Sequence, residues 1–147
     1  MSSNSFNLED SLTYKLHSLA KLIDKHADYA DIRHARISFA EGRVLAVIGF
    51  NNRLSVLQVA KKANLDKSQG SRAVVSLVGK GLIEKRQQKQ DARAFDLSLT
   101  EKGRLVYEEV VALITHRNEI AMRTLSAEEQ QNLINLMNKI QHNLENN

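Results

Sequence analysis

The run Asp91-Ala92-Arg93-Ala94-Phe95-Asp96-Leu97-Ser98-Leu99-Thr100 constrains this chain more than any other stretch. Phe95, Leu97 and Leu99 alternate with Asp96 and Ser98, which predicts the first three inward and the other two outward. A period of two marks a strand that covers a core on one face. Residues 83–88 read as the partner strand, and Lys89-Gln90-Asp91-Ala92 as the tip that joins them. Upstream lies a short basic helix, Lys67-Ser68-Gln69-Gly70-Ser71-Arg72, with small polar and cationic side chains at one end. Such a helix beside a basic hairpin can grip two grooves of a duplex at once.

Charge points the same way. Residues 61–93 hold nine Lys or Arg against three acids, a net of +6, which leaves −2 for the rest of a chain whose total is +4. Positive charge concentrated beside a groove-sized helix favours a polyanionic partner. At 147 residues the chain fits one domain, or a domain with an added helical element. The lack of cysteine excludes disulfides, thiolate metal sites and thiol redox sensing. The polar start Met1-Ser2-Ser3-Asn4-Ser5 and the absence of a transmembrane-length run predict a frayed end, no membrane partner and a cytoplasmic location.

The remaining chain reads as mainly helical, and its helix starts announce themselves. Ser38, Ser55, Asp66 and Ser126 are each followed three residues later by Glu or Gln, ahead of an apolar-periodic run. That spacing lets the cap side chain bond a free backbone N–H while the later side chain returns the bond. Helices are predicted over residues 8–30, 38–49, 56–63, 67–80 and 101–124, with a last one after Ser126. Gly81 is placed to end the fourth in a left-handed cap, and Thr100 to start the fifth. Three regions result: a dimerisation helix over residues 1–36, a DNA-binding module over 37–100, and dimerisation helices over 101–147. Leu12, Leu16, Leu19 and Ile23, with Leu133, Leu136, Met137, Ile140 and Leu144, form narrow stripes with little globular mass to cover them. They predict helices that pair with each other and with a second copy.

Two short helices joined by Asn64-Leu65-Asp66 have the layout of a helix-turn-helix, whose second helix enters the major groove by its N-terminal part. Ser68, Gln69, Arg72 and Ser76 are expected on one face of it. Arg matches both acceptors of guanine, and Gln can serve adenine. Ser71 is short enough to bond phosphates or bases, and Lys67 stands at the helix start, where free N–H groups also attract phosphate. Lys85, Arg86 and Lys89 are expected on phosphates. Arg93, flanked by two alanines, can reach a narrow minor groove, with Asp91 as a partner that orients an arginine. The plainer reading of the pair is an exposed ion pair worth less than about 1 kcal/mol.

These residues together resemble the MarR family of winged helix-turn-helix regulators. The matching positions are residues 57–63, Leu65-Asp66-Lys67-Ser68-Gln69, Ser71-Arg72, Gly81-Leu82-Ile83, and Asp91-x-Arg93-x-x-x-Leu97-x-Leu99-Thr100 with Gly103. The resemblance implies a homodimer that sets two winged modules on a palindromic double-stranded operator, usually as a repressor. It also implies a small-molecule effector, often an aromatic acid, between the dimer helices and the winged module, with His17, Gly42 and Arg43 as pocket residues. Two positions depart from the pattern. Gly70 replaces an aliphatic residue, and Gly42 replaces a large aromatic. Each either enlarges a cavity or is compensated by neighbours such as Phe39.

Other chemistries find little support. No His-Glu-x-x-His pair, phosphate loop or nucleophile elbow occurs, so neither an enzyme nor a resident cofactor is expected. Asp24, His26, Asp28, Asp31 and His34 cluster, and Asp31 with His34 could share a helix face, but no metal site is assigned to them. Two alternatives stay open: a winged-helix architectural or protein-interaction module that binds DNA without sequence preference, and a metal-responsive regulator.

Overall fold

All four predicted reciprocal caps form. Ser38, Ser55, Asp66 and Ser126 each accept the backbone N–H of the third residue on, and Glu41, Gln58, Gln69 and Glu129 return a bond to the cap backbone. In the computed structural model, which describes residues 6–25, Tyr29 and residues 32–147, these caps open four of six helices. The order is α1 (Leu12–Lys25), α2 (Phe39–Asn51), β1 (Leu54–Ser55), α3 (Val56–Lys62), α4 (Lys67–Gly79), β2 (Ile83–Gln87), β3 (Phe95–Leu99), α5 (Glu101–Met122) and α6 (Ala127–Glu145).

The first helix differs from expectation. A 3-10 turn over Leu8–Asp10 stands apart from α1, because Ser11 is extended. Its hydroxyl donates to the Leu8 carbonyl at 2.7 Å and accepts the Tyr14 N–H at 3.4 Å, so one side chain ends the turn and caps the helix. The predicted end near residue 30 lies outside the described residues.

The hairpin is antiparallel, with Ile83 opposite Leu99 and Gln87 opposite Phe95. It gains a third strand that sequence reading missed: β1 adds to β3, pairing Leu54 with Leu97 and Ser55 with Asp96. Two residues are too few to show a period. The expected alternation along β3 is partial. Leu97 is fully buried, but Asp96 and Ser98 are half-covered because Asp96 accepts from Gln88 at 2.8 Å and Ser98 donates to Glu84 at 3.4 Å.

The chain divides into two compact units, residues 27–114 and residues 1–26 with 115–147. In the first, Val44, Leu45, Ile48, Val59, Leu77, Leu82, Leu97, Val106 and Val110 are fully buried and Leu54 and Ile83 nearly so, so every element from α2 to the first half of α5 supplies the core. Thr100 fastens α5 to it. Its hydroxyl donates to the Gly81 carbonyl at 2.6 Å and accepts the Gly103 N–H at 2.9 Å. A side chain at Gly103 would collide with the Leu82 carbonyl, which explains Gly three residues after Thr100.

The two departing glycines are compensated. A Cβ at Gly42 would collide with the Tyr29 ring, and Phe39 packs edge-on against that ring at 5.7 Å. The aromatic missing from α2 is thus supplied by Tyr29. A Cβ at Gly70 would lie 2.5 Å from the Ala60 Cβ and 3.0 Å from its Cα. The glycine lets α4 approach Ala60 of α3 closely.

Glu41 is the buried charged residue among the described residues of this unit. Lys80 reaches it from the end of α4, with Nζ 2.9 and 2.8 Å from the two carboxylate oxygens and 2.7 Å from the Arg36 carbonyl. Burial pushes the carboxyl up. Hydrogen bonds from Lys80, from the Ser76 hydroxyl and from the Ser38 N–H, with the Lys80 charge, outweigh this and hold it below the usual range.

In the second unit no residue of α1 or α6 is buried. Leu12, Leu16, Leu19, Leu22, Leu133, Leu136, Met137 and Ile140 all remain exposed. Arg117 of α5 is only 10% exposed; its Nη2 lies 4.0 Å from Asp24. Its Nε and Nη1 have no hydrogen-bond partner among the described residues.

Two outcomes follow for stability. Gly70→Ala gains about 1 kcal/mol of helix propensity, but overpacking against backbone costs about 1–3 kcal/mol. The net effect is a loss, read as a lower midpoint in urea unfolding. Lys80→Met leaves a buried carboxylate unpaired. It should cost about 2 kcal/mol, short of the 3–5 of a fully buried pair because the Lys80 side chain is 36% exposed. Since the folded Glu41 carboxyl lies below its unfolded value, its contribution is present above the ordinary glutamate range and lost as pH falls through the folded value. Unfolding at stepped pH should show that acid loss shrink in Lys80→Met.

Candidate nucleic-acid interface

Helix α4 is set by both of its ends. At its start, Asn64 takes a positive φ of 52° and the Leu65 N–H donates back to Ala60 at 3.1 Å, which ends α3 in a left-handed cap. Asp66 then opens α4. At its end, Gly81 takes a φ of 69° as expected, and the Leu82 N–H donates to Leu77 at 3.0 Å. Gly70, Ala73, Val74 and Leu77 face the core. With 3.6 residues per turn, the opposite side carries Ser68, Ser71, Arg72 and Val75, all exposed. Lys67, also exposed, flanks them at the first turn.

Two expected members of this face stand elsewhere. Ser76 is half-buried, and its hydroxyl bonds the Glu41 carboxylate, so it faces α2 and not the exposed side. Eight residues from Ser68 the helix has turned about 80° further, toward the core. Gln69 is exposed, but its side-chain oxygen accepts the Asp66 N–H at 3.3 Å. Bidentate reading of adenine needs that oxygen as well as the amide nitrogen, so it would have to break the cap.

The hairpin tip is built by Asp91. Its Oδ1 accepts the Arg93 N–H at 2.9 Å, and its carbonyl accepts the Ala94 N–H at 3.1 Å. The expected orienting role of Asp91 therefore acts on the backbone of Arg93, by an Asx-type turn. The Arg93 side chain is exposed and has no ion pair among the described residues. Lys85 and Arg86 are exposed but engaged: Lys85 Nζ sits 4.5 Å from the Phe95 ring centroid, and Arg86 pairs with Glu84 at 2.7 Å. Lys89 is exposed at the tip.

The residues assigned to an effector pocket are not all open. Gly42 lies under Tyr29, and the Arg43 guanidinium lies 5.4 Å from the Phe39 ring centroid. His17 is exposed on α1, in the other unit. Of the acidic and histidine cluster, His26, Asp28 and Asp31 lie outside the described residues. His34 bonds Glu109 through Nδ1 at 3.0 Å, and the same carboxylate accepts the Arg33 and His34 N–H groups. Among the described residues no three His, Asp or Glu converge on a metal-sized point.

Sequence reading missed Tyr29 and Val75, and saw Glu41 only as a cap partner. Only Val75 carried a usable signal, since it falls three residues after Arg72 and seven after Ser68, on their helix face.

Residues 37–94 match the MarR family. The fold extends well past that segment. A MarR protein from Peptoclostridium difficile shares it at a TM-score of 0.82 and 22% identity, over 99% of this chain and 94% of that one. The PcaV transcriptional regulator from Streptomyces coelicolor, solved with its natural ligand, shares it at 0.76 and 21% identity, over 94% and 96%. A mutant of MarR from E. coli, solved with operator DNA, shares it at 0.74 and 22% identity, over 92% and 99%. The chain is thus similar to MarR-family winged helix-turn-helix regulators in its module over residues 37–94, and its described helices and three-stranded sheet share the fold of those structures.

Proposed function

We propose that this chain is a homodimeric repressor of the cytoplasm that binds a palindromic operator and is released by a small-molecule effector. One observation carries the reading: α4, held by caps at both ends, presents Ser68, Ser71 and Arg72 to solvent while the wing holds Arg93 exposed at its tip. Arg72 matches the O6 and N7 acceptors of guanine, with Ser68 and Ser71 beside it on bases or phosphates. Arg93 suits the adjacent minor groove, where a narrow width concentrates negative potential. Lys67 and Lys89 neutralise phosphates directly. Lys85 and Arg86 do so by exchanging the Phe95 and Glu84 contacts for phosphate oxygens.

The dimer reading rests on the helical unit. Its apolar stripes stay exposed, and Arg117 Nε and Nη1 are buried with no acceptor among the described residues. Buried donors without acceptors are costly, and a second copy can cover the one and complete the other. Two modules then meet half-sites about one helical turn apart. In this reading regions 1–36 and 101–147 serve dimerisation and region 37–100 binds DNA. No helix of the described residues is long and apolar enough to cross a membrane.

The effector reading is carried over from relatives such as PcaV, whose structure holds its natural ligand. Within the unit of residues 27–114, Arg43 is the proposed polar contact, and Tyr29 over Gly42 is the aromatic wall. A ligand releases DNA only if it binds the two arrangements of the modules with different affinity. A thermal-shift panel of aromatic acids should find one that stabilises the protein and weakens its DNA binding.

Three further outcomes test the reading. Arg72→Ala should cost about 1–3 kcal/mol per half-site and relax preference at particular base pairs. Arg93→Ala should weaken binding with loss of preference limited to A·T-rich flanks. Titrations against an operator selected in vitro, base-substituted operators and random DNA, at two salt concentrations, measure both. Equal affinity for operator and random DNA would instead favour the architectural reading. Leu16→Asp with Leu19→Asp should give monomers or unfolded chains in sedimentation, whereas a stable wild-type monomer at micromolar concentration would remove the dimer.

A further inference from the structure

We infer that Val75 is a specificity-determining residue that reads the C5-methyl group of a thymine in each half-site. Val75 is 69% exposed in the middle of α4. It stands three residues after Arg72, four after Ser71 and seven after Ser68, on the side opposite Gly70, Ala73, Val74 and Leu77. On an α-helix those spacings place it in line with the polar residues of the outward face. It is the most exposed apolar side chain of a mainly polar face, with Val78, 39% exposed, one turn on at the edge.

Folding gives Val75 no reason to be valine. A β-branched side chain in an exposed helix position loses χ1 freedom and is a poorer helix former than alanine. Its chemistry does match one feature of the surface that α4 would meet. Among the base edges of the major groove the thymine methyl is the apolar group. The cations around it set the partner class, since Lys67 and Arg72 are exposed on the same helix and Lys61 and Lys62 end the preceding one. The rise of three helical residues is about 4.5 Å, against about 3.4 Å per base step. The thymine therefore lies one or two base pairs from the base that Arg72 contacts.

This inference rests on α4 being the base-reading helix, and the experiment separates the two. Wild-type protein selects a consensus duplex from random DNA. Each thymine of that duplex is then replaced in turn by uracil, which removes the methyl and nothing else on the groove edge. Wild-type protein and Val75→Ala are titrated against the series, with Val75→Ser as a second variant and circular dichroism as the check on folding. One thymine per half-site should respond, its uracil form binding wild type about fourfold more weakly, the worth of one buried methyl. Both variants should bind thymine and uracil forms equally at that position while keeping the guanine preference assigned to Arg72. If the variants retain the same uracil sensitivity as wild type, or if no uracil matters to wild type, Val75 does not read a methyl group. If wild type selects no consensus, the regulator reading falls and takes this inference with it.

Discussion

One buried carboxylate decides how α4 is aimed. Glu41 closes the cap that starts α2, and both of its oxygens accept from Lys80, just past the end of α4. Lys80 also reaches the Arg36 carbonyl in the segment before α2. Three pieces of backbone thus converge on one charge pair, and Ser76 adds a third side chain to it. A carboxylate out of water is tolerable only when its hydrogen bonds are filled, so none of these elements can move without exposing the others. The close approach of α3 and α4 at Gly70 and Ala60 restrains the other end of the helix. What α4 shows to solvent is then the side that these contacts leave over.

The wing follows the same logic with weaker forces. Asp91 shapes the tip by accepting a backbone N–H, and the cross-strand bonds of Asp96 and Ser98 keep the strands in register. Two of its cations rest on internal partners, Lys85 on Phe95 and Arg86 on Glu84. Exposed pairs of this strength are worth less than about 1 kcal/mol. They hold long side chains near the strands. Arg93 has no such partner among the described residues, so its reach depends only on the tip backbone.

Much of the module was legible because its signals are local. A cap is a matter of a few residues, so Ser38 with Glu41, Ser55 with Gln58, Asp66 with Gln69 and Ser126 with Glu129 could all be read from spacing and all form. The left-handed cap at Gly81 and the helix start at Thr100 are equally local. Ser76 shows where this stops. Spacing put it near the exposed face, but which polar residue at the edge of a helix turns inward depends on whether a buried partner waits there. That partner, Glu41, is 35 positions away in sequence. The two departing glycines are of the same kind: a missing side chain says that something approaches closely or that space opens, and does not say which.

By itself the sequence determined the kind and order of the elements: capped helices, a hairpin with an arginine at its tip, and a basic segment between apolar terminal stripes. Hydrogen bonds between near neighbours and the two helical and strand periods are enough for that. Only tertiary structure decided that β1 joins the wing, that Tyr29 fills the space over Gly42, that Ala60 fills the space at Gly70, and that Glu41 and Lys80 bury a charge between helices. It also decided which side of α4 is left outward, and so brought Val75 into line with Ser68 and Arg72. The reason is common to all of these. Each depends on which distant surfaces meet in the folded chain, and a buried contact is worth its energy only when both partners arrive.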